Sequence, residues 1–173
     1  MISELSTPPA GLERGARKPR DQWKPRYFLD TEFTDFTACQ LISLAIVGED
    51  GREFYAEVSD FDQALCSDFV RMTVLPQLGN PPGHAMPFHQ VRREILSWLA
   101  RVPLRPKPVL CFDFEGDHLL LRHLLGGPLP KGWKAENVYG RINEREKERF
   151  FRTMGLSDHH ALHDARANEF AFI

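Results

Sequence analysis

The chain has 173 residues, which at roughly 100 to 200 residues per domain makes one domain and excludes a large multidomain machine. Hydrophobic residues make up 42% and 12 glycines come on top, which brings the chain to the globular norm of roughly 45 to 50%, enough for a real core. Net charge is only -2, so its distribution carries more information than its sum. Residues 1–26 hold six Lys/Arg against three Asp/Glu (+3), residues 27–60 one against eight (-7), and residues 131–153 seven against four (+3). Basic stretches around an acidic centre suit an anionic partner gripped at its backbone while something cationic sits among the acids. An uneven but merely solvated surface reads the same way.

No apolar run approaches the roughly 20 residues that a membrane helix needs, and the first residues, MISELSTPPAGLERGARKPR, lack the apolar stretch of a secretory signal. The expectation is a soluble cytoplasmic protein that does not enter a membrane. Cys39, Cys66 and Cys111 are odd in number and widely spaced amid apolar residues, which fits neither a disulfide framework nor a cysteine zinc cluster. They read as core thiols in a reducing compartment.

Residues 1–25 are rich in Pro, Gly and charge and read as a basic, flexible N-terminal arm. The folded domain is expected over 26–173. Arg26 to Phe33, Gln40 to Val47 and Glu53 to Val58 are short β-branched or aromatic runs, with Gly48-Glu-Asp-Gly51 as a turn, and read as a three-stranded antiparallel meander. From Ser67 the period becomes helical: Phe69, Val70, Met72 and Val74 precede Pro76, and Phe88, Val91, Ile95, Leu96 and Leu99 form a second helix. Pro108 to Phe112 is continuously apolar, as for a strand covered on both faces. Leu119 to Leu125 predicts a helix stopped at Gly126, Glu144 to Met154 one closed by Gly155, and Ala161 to Phe172 a last one. The order predicts a mixed α/β layered domain.

Three clusters carry chemistry. Asp30 and Glu32 lie two apart in an apolar strand and so share a face; two adjacent carboxylates repel and lose hydration unless a cation binds between them. Asp113, Glu115 and Asp117 follow the buried strand and open the leucine-rich helix, where the helix dipole by itself also favours acids. Asp158 to Asn168 puts His159, His160, His163 and Asp164 beside a helix start. Taken alone, each admits a bland reading as strand end, dipole-favoured acids or polar surface.

Together and in this order they resemble the DEDDh branch of the DnaQ-like 3′-to-5′ exonucleases, and within it the short single-domain exoribonucleases. The first motif, Asp-x-Glu, is similar to Asp30-Thr31-Glu32; the second, an Asp opening the helix after a central strand, to Asp117; the third, His-x-Ala-Leu-x-Asp-Ala, to His159 through Ala165. The resemblance runs from about Tyr27 to Ala167 and implies a ribonuclease-H-like α/β fold, whose mixed central sheet joins the antiparallel meander to parallel strands between flanking helices. It implies a metal-dependent 3′-to-5′ exonuclease that takes single-stranded nucleic acid with a free 3′ end, RNA favoured, and releases nucleoside 5′-monophosphates. Two ions, Mg²⁺ or Mn²⁺, would be held by the hard oxygen donors Asp30, Glu32, Asp117 and Asp164. His159 would be the general base, since an imidazole titrates near neutral pH. Phe33 and Phe36 would stack on terminal bases, although Phe33 equally reads as core. Relatives suggest a homodimer.

Geometry adds a condition: five residues at 3.6 per turn put His159 about 140° around a helix from Asp164, so the two converge only if His159 sits in the turn before the helix. One departure stands out. Many relatives carry Asn four residues before the second-motif Asp, where this chain has Asp113. It rivals Asp117 as third carboxylate, and Asp117 is preferred because it opens the helix. Two other classes compete. A zinc hydrolase would use His159 and His163, four apart, with Asp164, and leaves Asp30, Glu32 and Asp117 unexplained. A non-catalytic ribonuclease-H-like nucleic-acid-binding module predicts a missing motif residue, and none is missing.

Overall fold

The computed structural model describes Leu12 and residues 24–173. Among them six strands, β1 (Arg26–Phe33), β2 (Leu41–Gly48), β3 (Glu53–Val58), β4 (Ala85–Met86), β5 (Val109–Phe112) and β6 (Lys134–Asn137), form one sheet in the order β4-β3-β2-β1-β5-β6. The α-helices are α1 (Asp68–Thr73), α2 (Phe88–Arg101), α3 (Glu115–Leu125), α4 (Glu144–Met154) and α5 (Ala161–Ala171). The meander is as expected, with β2 antiparallel to both β1 and β3. β5 runs parallel to β1, and β6 parallel to β5, so β1 and β5 deliver their carboxyl ends to the same edge.

Side-chain alternation along β1 divides the core. Tyr27 and Leu29 pack with Leu44, Ile46, Leu110 and Phe112 against Val91, Ile95 and Leu99 of α2 and Leu121 and Leu124 of α3. On the opposite face Phe28 and Cys111 meet Ala171 and Phe172, while Ala45, Val47 and Tyr55 meet Ala161, Leu162 and Ala165 of α5. Helix stops fall where the sequence places them. Gly126 and Gly155 take the left-handed conformation, φ 78° and 63°, that closes α3 and α4 without a Cβ penalty. Asn143 caps α4 by accepting from the amides of Arg145 and Glu146.

Some expectations differ from the structure. The helix read from Ser67 ends at Thr73 and gives way to a 3₁₀ turn, Leu75–Gln77, because Pro76 cannot continue the α-helical ladder. Of its apolar set, Val70 and Val74 are buried, whereas Phe69 and Met72 are exposed. Two strands are additional: β4 has two residues, and β6, Lys-Ala-Glu-Asn, has a polar sequence that suits an exposed sheet edge. Cys66 and Cys111 are buried, but Cys39 is an exposed thiol in the β1–β2 connection, so it is not a core residue. The basic arm lies outside the described residues except for Leu12, Lys24 and Pro25; Leu12 packs with Phe150, Ala167 and Phe170. No helix of the described residues is long and apolar enough to cross a membrane.

Leu121 is fully buried and anchors α3, the helix that carries Asp117, on the sheet. Leu121→Ala should cost about 2–5 kcal/mol, read as a lowered denaturation midpoint with unchanged slope.

Candidate active site

The alternation that builds the core also builds a carboxylate centre at the carboxyl end of β1. Asp30 and Glu32 follow Phe28 on the face covered by α5, which carries Asp164; Thr31 follows Leu29 on the other face, toward α3 and Asp117. Carboxylate oxygens of Asp30, Glu32 and Asp164 lie within 4.8 Å of one another, and so do those of Asp30, Asp113 and Asp117. Asp30 belongs to both groups. A shift in register between Glu32 and Phe33 marks the end of the ladder with β2 and turns Phe33 into the cleft.

Each acid is held differently. Asp117, in the first turn of α3 and only 3% exposed, accepts a 2.6 Å hydrogen bond from the Thr31 hydroxyl. Asp164, in the first turn of α5, reaches back to accept from the His160 amide at 3.1 Å and lies 3.7 Å from Lys147 Nζ of α4. Asp113 is half-buried at the end of β5. Among the described residues no hydrogen-bond donor reaches the carboxylates of Asp30, Glu32 or Asp113, and an acid brought this far from water without a partner is costly when charged.

Protonation responds accordingly. Lost hydration, then the charges of Asp164, Asp117 and Glu32, push the Asp30 carboxyl well above its ordinary range. Glu32 is pushed up to about 8 by lost hydration and then by Asp164 and Asp117. Asp117 rises to about 7 through lost hydration, against which the Thr31 hydrogen bond works. Asp164 is also raised by lost hydration, with Lys147 and the His160 amide opposing. A donor set made entirely of carboxylate oxygens, short of compensating charge, fits a hard divalent cation such as Mg²⁺ or Mn²⁺ and not a soft one.

His159 meets the condition set by the sequence geometry. It precedes the N-cap His160 of α5 and sits in a turn with φ 58°, the one non-glycine residue with positive φ among those described. Its half-exposed ring lines the same cleft as the acids, lies edge-on to Phe69 at 4.9 Å and has Nε2 3.6 Å from Asp158. The other two histidines of this cluster, His160 and His163, are bound into the fold. His160 is buried with Nε2 2.7 Å from the Asn80 carbonyl and 3.2 Å from the Tyr55 hydroxyl. His163 stacks on His160 at 4.0 Å with Nδ1 3.2 Å from the Ser157 carbonyl, and burial, then His160, lowers it to about 4. Among the described residues, His159, His163 and Asp164 form no three-ligand cluster, so the zinc arrangement is not assembled.

The cleft has a volume of about 400 Å³ and is lined by Asp30, Glu32, Asp113, Asp117, Asp164 and His159 together with Phe33, Phe36, Phe69 and Phe114. Phe33, Phe36 and Phe114 form an aromatic lip with ring centroids 5.2 to 6.3 Å apart, and Phe36 is 79% exposed. Sequence reasoning missed Phe69, Phe114, Lys147 and Thr31. Thr31 alone had a signal: alternation puts it on the α3 side of β1, between the two acids of its own motif.

The metal-free centre should make stability fall with rising pH. A carboxyl raised above its unfolded value binds its proton more tightly in the folded state, so its contribution is complete below the unfolded pKa and is lost as pH passes the folded one. His163, with a lowered folded pKa of about 4, acts oppositely, but only below its usual 6.5. Between pH 6.5 and 8.5, across the values near 7 for Asp117 and 8 for Glu32, melting temperature in EDTA should drop, and Asp30→Asn should flatten the drop. A melting temperature that rises over this interval would contradict the electrostatic picture.

Comparison with known proteins gives a sequence likeness over part of the chain and a fold likeness over most of it. No family model matches. Over 57 residues, 32% of this chain, it is 49% identical to a 3′-5′ exoribonuclease of Mycobacterium tuberculosis strain H37Rv, with the same figures for its counterpart in strain CDC 1551 / Oshkosh. The match spans about a third (34%) of the length of these relatives. Among solved structures, cell-death related nuclease 4 superposes with a TM-score of 0.51 at 16% identity, over 86% of this chain and 63% of that one. Escherichia coli exonuclease I in complex with an oligonucleotide gives 0.52 at 14% identity, over 84% and 39%. A zinc-bound complex of the same exonuclease with single-stranded DNA gives 0.50 at 15%, over 86% and 38%. At such identities the structural likeness is one of fold. The chain thus has a ribonuclease-H-like α/β fold, shared with cell-death related nuclease 4 and exonuclease I, and part of its sequence is similar to a 3′-5′ exoribonuclease.

Proposed function

We propose that the chain is a metal-dependent 3′-to-5′ exonuclease that hydrolyses single-stranded nucleic acid from a free 3′ end, RNA in preference to DNA, and releases nucleoside 5′-monophosphates. The observation that carries this reading is Asp30, shared by two carboxylate groups at the floor of a cleft whose wall presents His159. The preference for RNA rests on the partial sequence likeness to an exoribonuclease, and that for single strands on the neighbours solved with an oligonucleotide and with single-stranded DNA. Family resemblance extends the reading to a homodimer, and the cytoplasmic location read from the sequence is kept as part of the proposal.

Asp30, Glu32, Asp117 and Asp164 would hold two divalent ions, Mg²⁺ or Mn²⁺, which supply Lewis acidity for in-line displacement at phosphorus. His159 takes the proton of the attacking water on its imidazole; its half-exposed position lets it pass that proton to solvent afterwards. The Thr31 hydroxyl fixes one oxygen of Asp117, and the His160 amide and the Lys147 ammonium hold Asp164 at its two oxygens, so both carboxylates are oriented within the cluster. Phe33 and Phe36, edge-to-face with each other, offer ring faces to the terminal bases, a contact that tolerates any base.

With Mg²⁺ or Mn²⁺, 5′-labelled single-stranded RNA should shorten as a descending ladder, faster than DNA, and EDTA should stop it. Persistence in EDTA, or a specific need for Zn²⁺, would overturn the reading; binding without turnover would favour the non-catalytic module. His159→Ala should lower kcat by roughly 10² to 10⁴ with little change in KM, whereas His163→Ala should not match that loss.

The two second-motif acids are separable in the same assay. Asp117→Asn should abolish turnover, because that carboxylate is buried and fixed by Thr31. Asp113→Asn should leave most of it, since this acid is more exposed and Asn occupies the position in many of the proteins the chain resembles. The reverse result would move the ligand to the end of β5.

A further inference from the structure

We infer that Gln77 is a positioning residue for His159, clamping the backbone on both sides of the imidazole. Gln77 ends the 3₁₀ turn after α1 and lies 82 residues from His159 in sequence. Its side-chain Nε2 lies 2.8 Å from the Asp158 carbonyl, 3.1 Å from that of His159 and 2.9 Å from that of Thr73 in its own segment, so its two N–H groups are shared among three acceptors. Three carbonyl acceptors around one terminal atom assign that atom as the amide nitrogen, since the amide oxygen cannot donate.

The two distant acceptors are the peptide groups that immediately precede and follow the His159 Cα. They flank the residue with φ 58°, a conformation that costs a non-glycine residue free energy and persists only where surroundings hold it. The direction of the imidazole depends on that conformation, because an extended His159 would carry its ring elsewhere. The same segment touches the ring as well: Phe69 of α1 lies edge-on to it at 4.9 Å. Behind the turn, the next residue is anchored separately, His160 through the Asn80 carbonyl and the Asp164 carboxylate. The α1 segment therefore grips His159 from the cleft side while β3 and the 79–84 loop grip His160, and Gln77 is the group that converts a stray surface turn into a fixed one.

This inference rests on the proposed role of His159, and the test separates the two. Gln77→Met keeps the length and removes the donor. In the free protein, hydrogen exchange at the His160 amide, which donates to Asp164, should quicken roughly 10-fold as the turn before it opens more often, the effect of losing hydrogen bonds that each hold modestly, while exchange in β1, β2 and β5 stays as in wild type. In turnover, Gln77→Met should lower kcat roughly 10- to 100-fold, the scale for misplacing a catalytic group, with KM and Mn²⁺-induced thermal stabilisation unchanged. Against a His159→Ala background it should lower kcat no further, because its effect passes through the imidazole. Unchanged exchange at the His160 amide overturns the clamp. An equal kcat loss with and without His159 overturns the route through His159. Wild type without metal-dependent turnover, or His159→Ala with full activity, overturns the nuclease reading instead, and the exchange measurement then still decides whether Gln77 holds the turn.

Discussion

Asp30 faces carboxylates from two directions, Glu32 and Asp164 on one side and Asp113 and Asp117 on the other, and this crowding of like charge is the constraint that the rest of the domain has to meet. A strand can bring acids to a point at this density because alternation sends Asp30 and Glu32 to one face and Thr31 to the other. The parallel pairing of β1 with β5 then starts α3 at the same edge, and α5 crosses the opposite face with its N-terminus there. Both helices aim partial positive charge at the cluster and place an acid in the first turn, Asp117 and Asp164. Lys147, the Thr31 hydroxyl and the His160 amide offset more of the repulsion. What stays uncompensated falls on Asp30 and Glu32, whose carboxyls respond by holding protons far above their usual range. On the proposed reading, that remaining deficit is what divalent cations satisfy.

Precision at such a centre has to come from packing remote from it. The sheet core of Leu29, Leu44, Ile46 and Leu110, with Leu121 and Leu124 of α3, leaves β1 and α3 no freedom to drift apart. By contrast the aromatic lip at the cleft mouth is loosely held, with Phe36 largely exposed, whereas His159 has its backbone held by Gln77 and its ring half open to solvent. On the proposed reading, the difference suits a reaction in which the acids must be fixed, the aromatic lip must accept different bases, and the imidazole must reach both water and solvent.

Much of this was legible in the sequence because it is local. The spacing of Asp30 and Glu32 gave their common face, Gly126 and Gly155 gave the helix ends, and the separation of five positions from His159 to Asp164 required a turn where the structure has one. The unread parts depend on residues distant in the chain. Nothing in Lys-Ala-Glu-Asn announces β6, whose strand exists because the edge of β5 offers it a ladder. Phe69 looked like a core position, and only the break at Pro76 and the docking of α1 beside the cleft turn it outward. Lys147 reads as one charge in a charged helix until α4 packs on α5. Asp113 and Asp117, rivals on the sequence, both reach Asp30 because the turn from β5 into α3 lies over the end of β1.

The central claim is that the two carboxylate groups are joined through Asp30 and are completed by metal. Titration of the purified, EDTA-stripped chain with Mn²⁺, followed by electron paramagnetic resonance of the free ion, tests it without any substrate. The account predicts about two ions per chain bound by wild type, as a two-metal hydrolase requires, and loss of both in Asp30→Asn, since that residue serves each group. An Asp30→Asn variant that still binds Mn²⁺ with wild-type stoichiometry and affinity would contradict it.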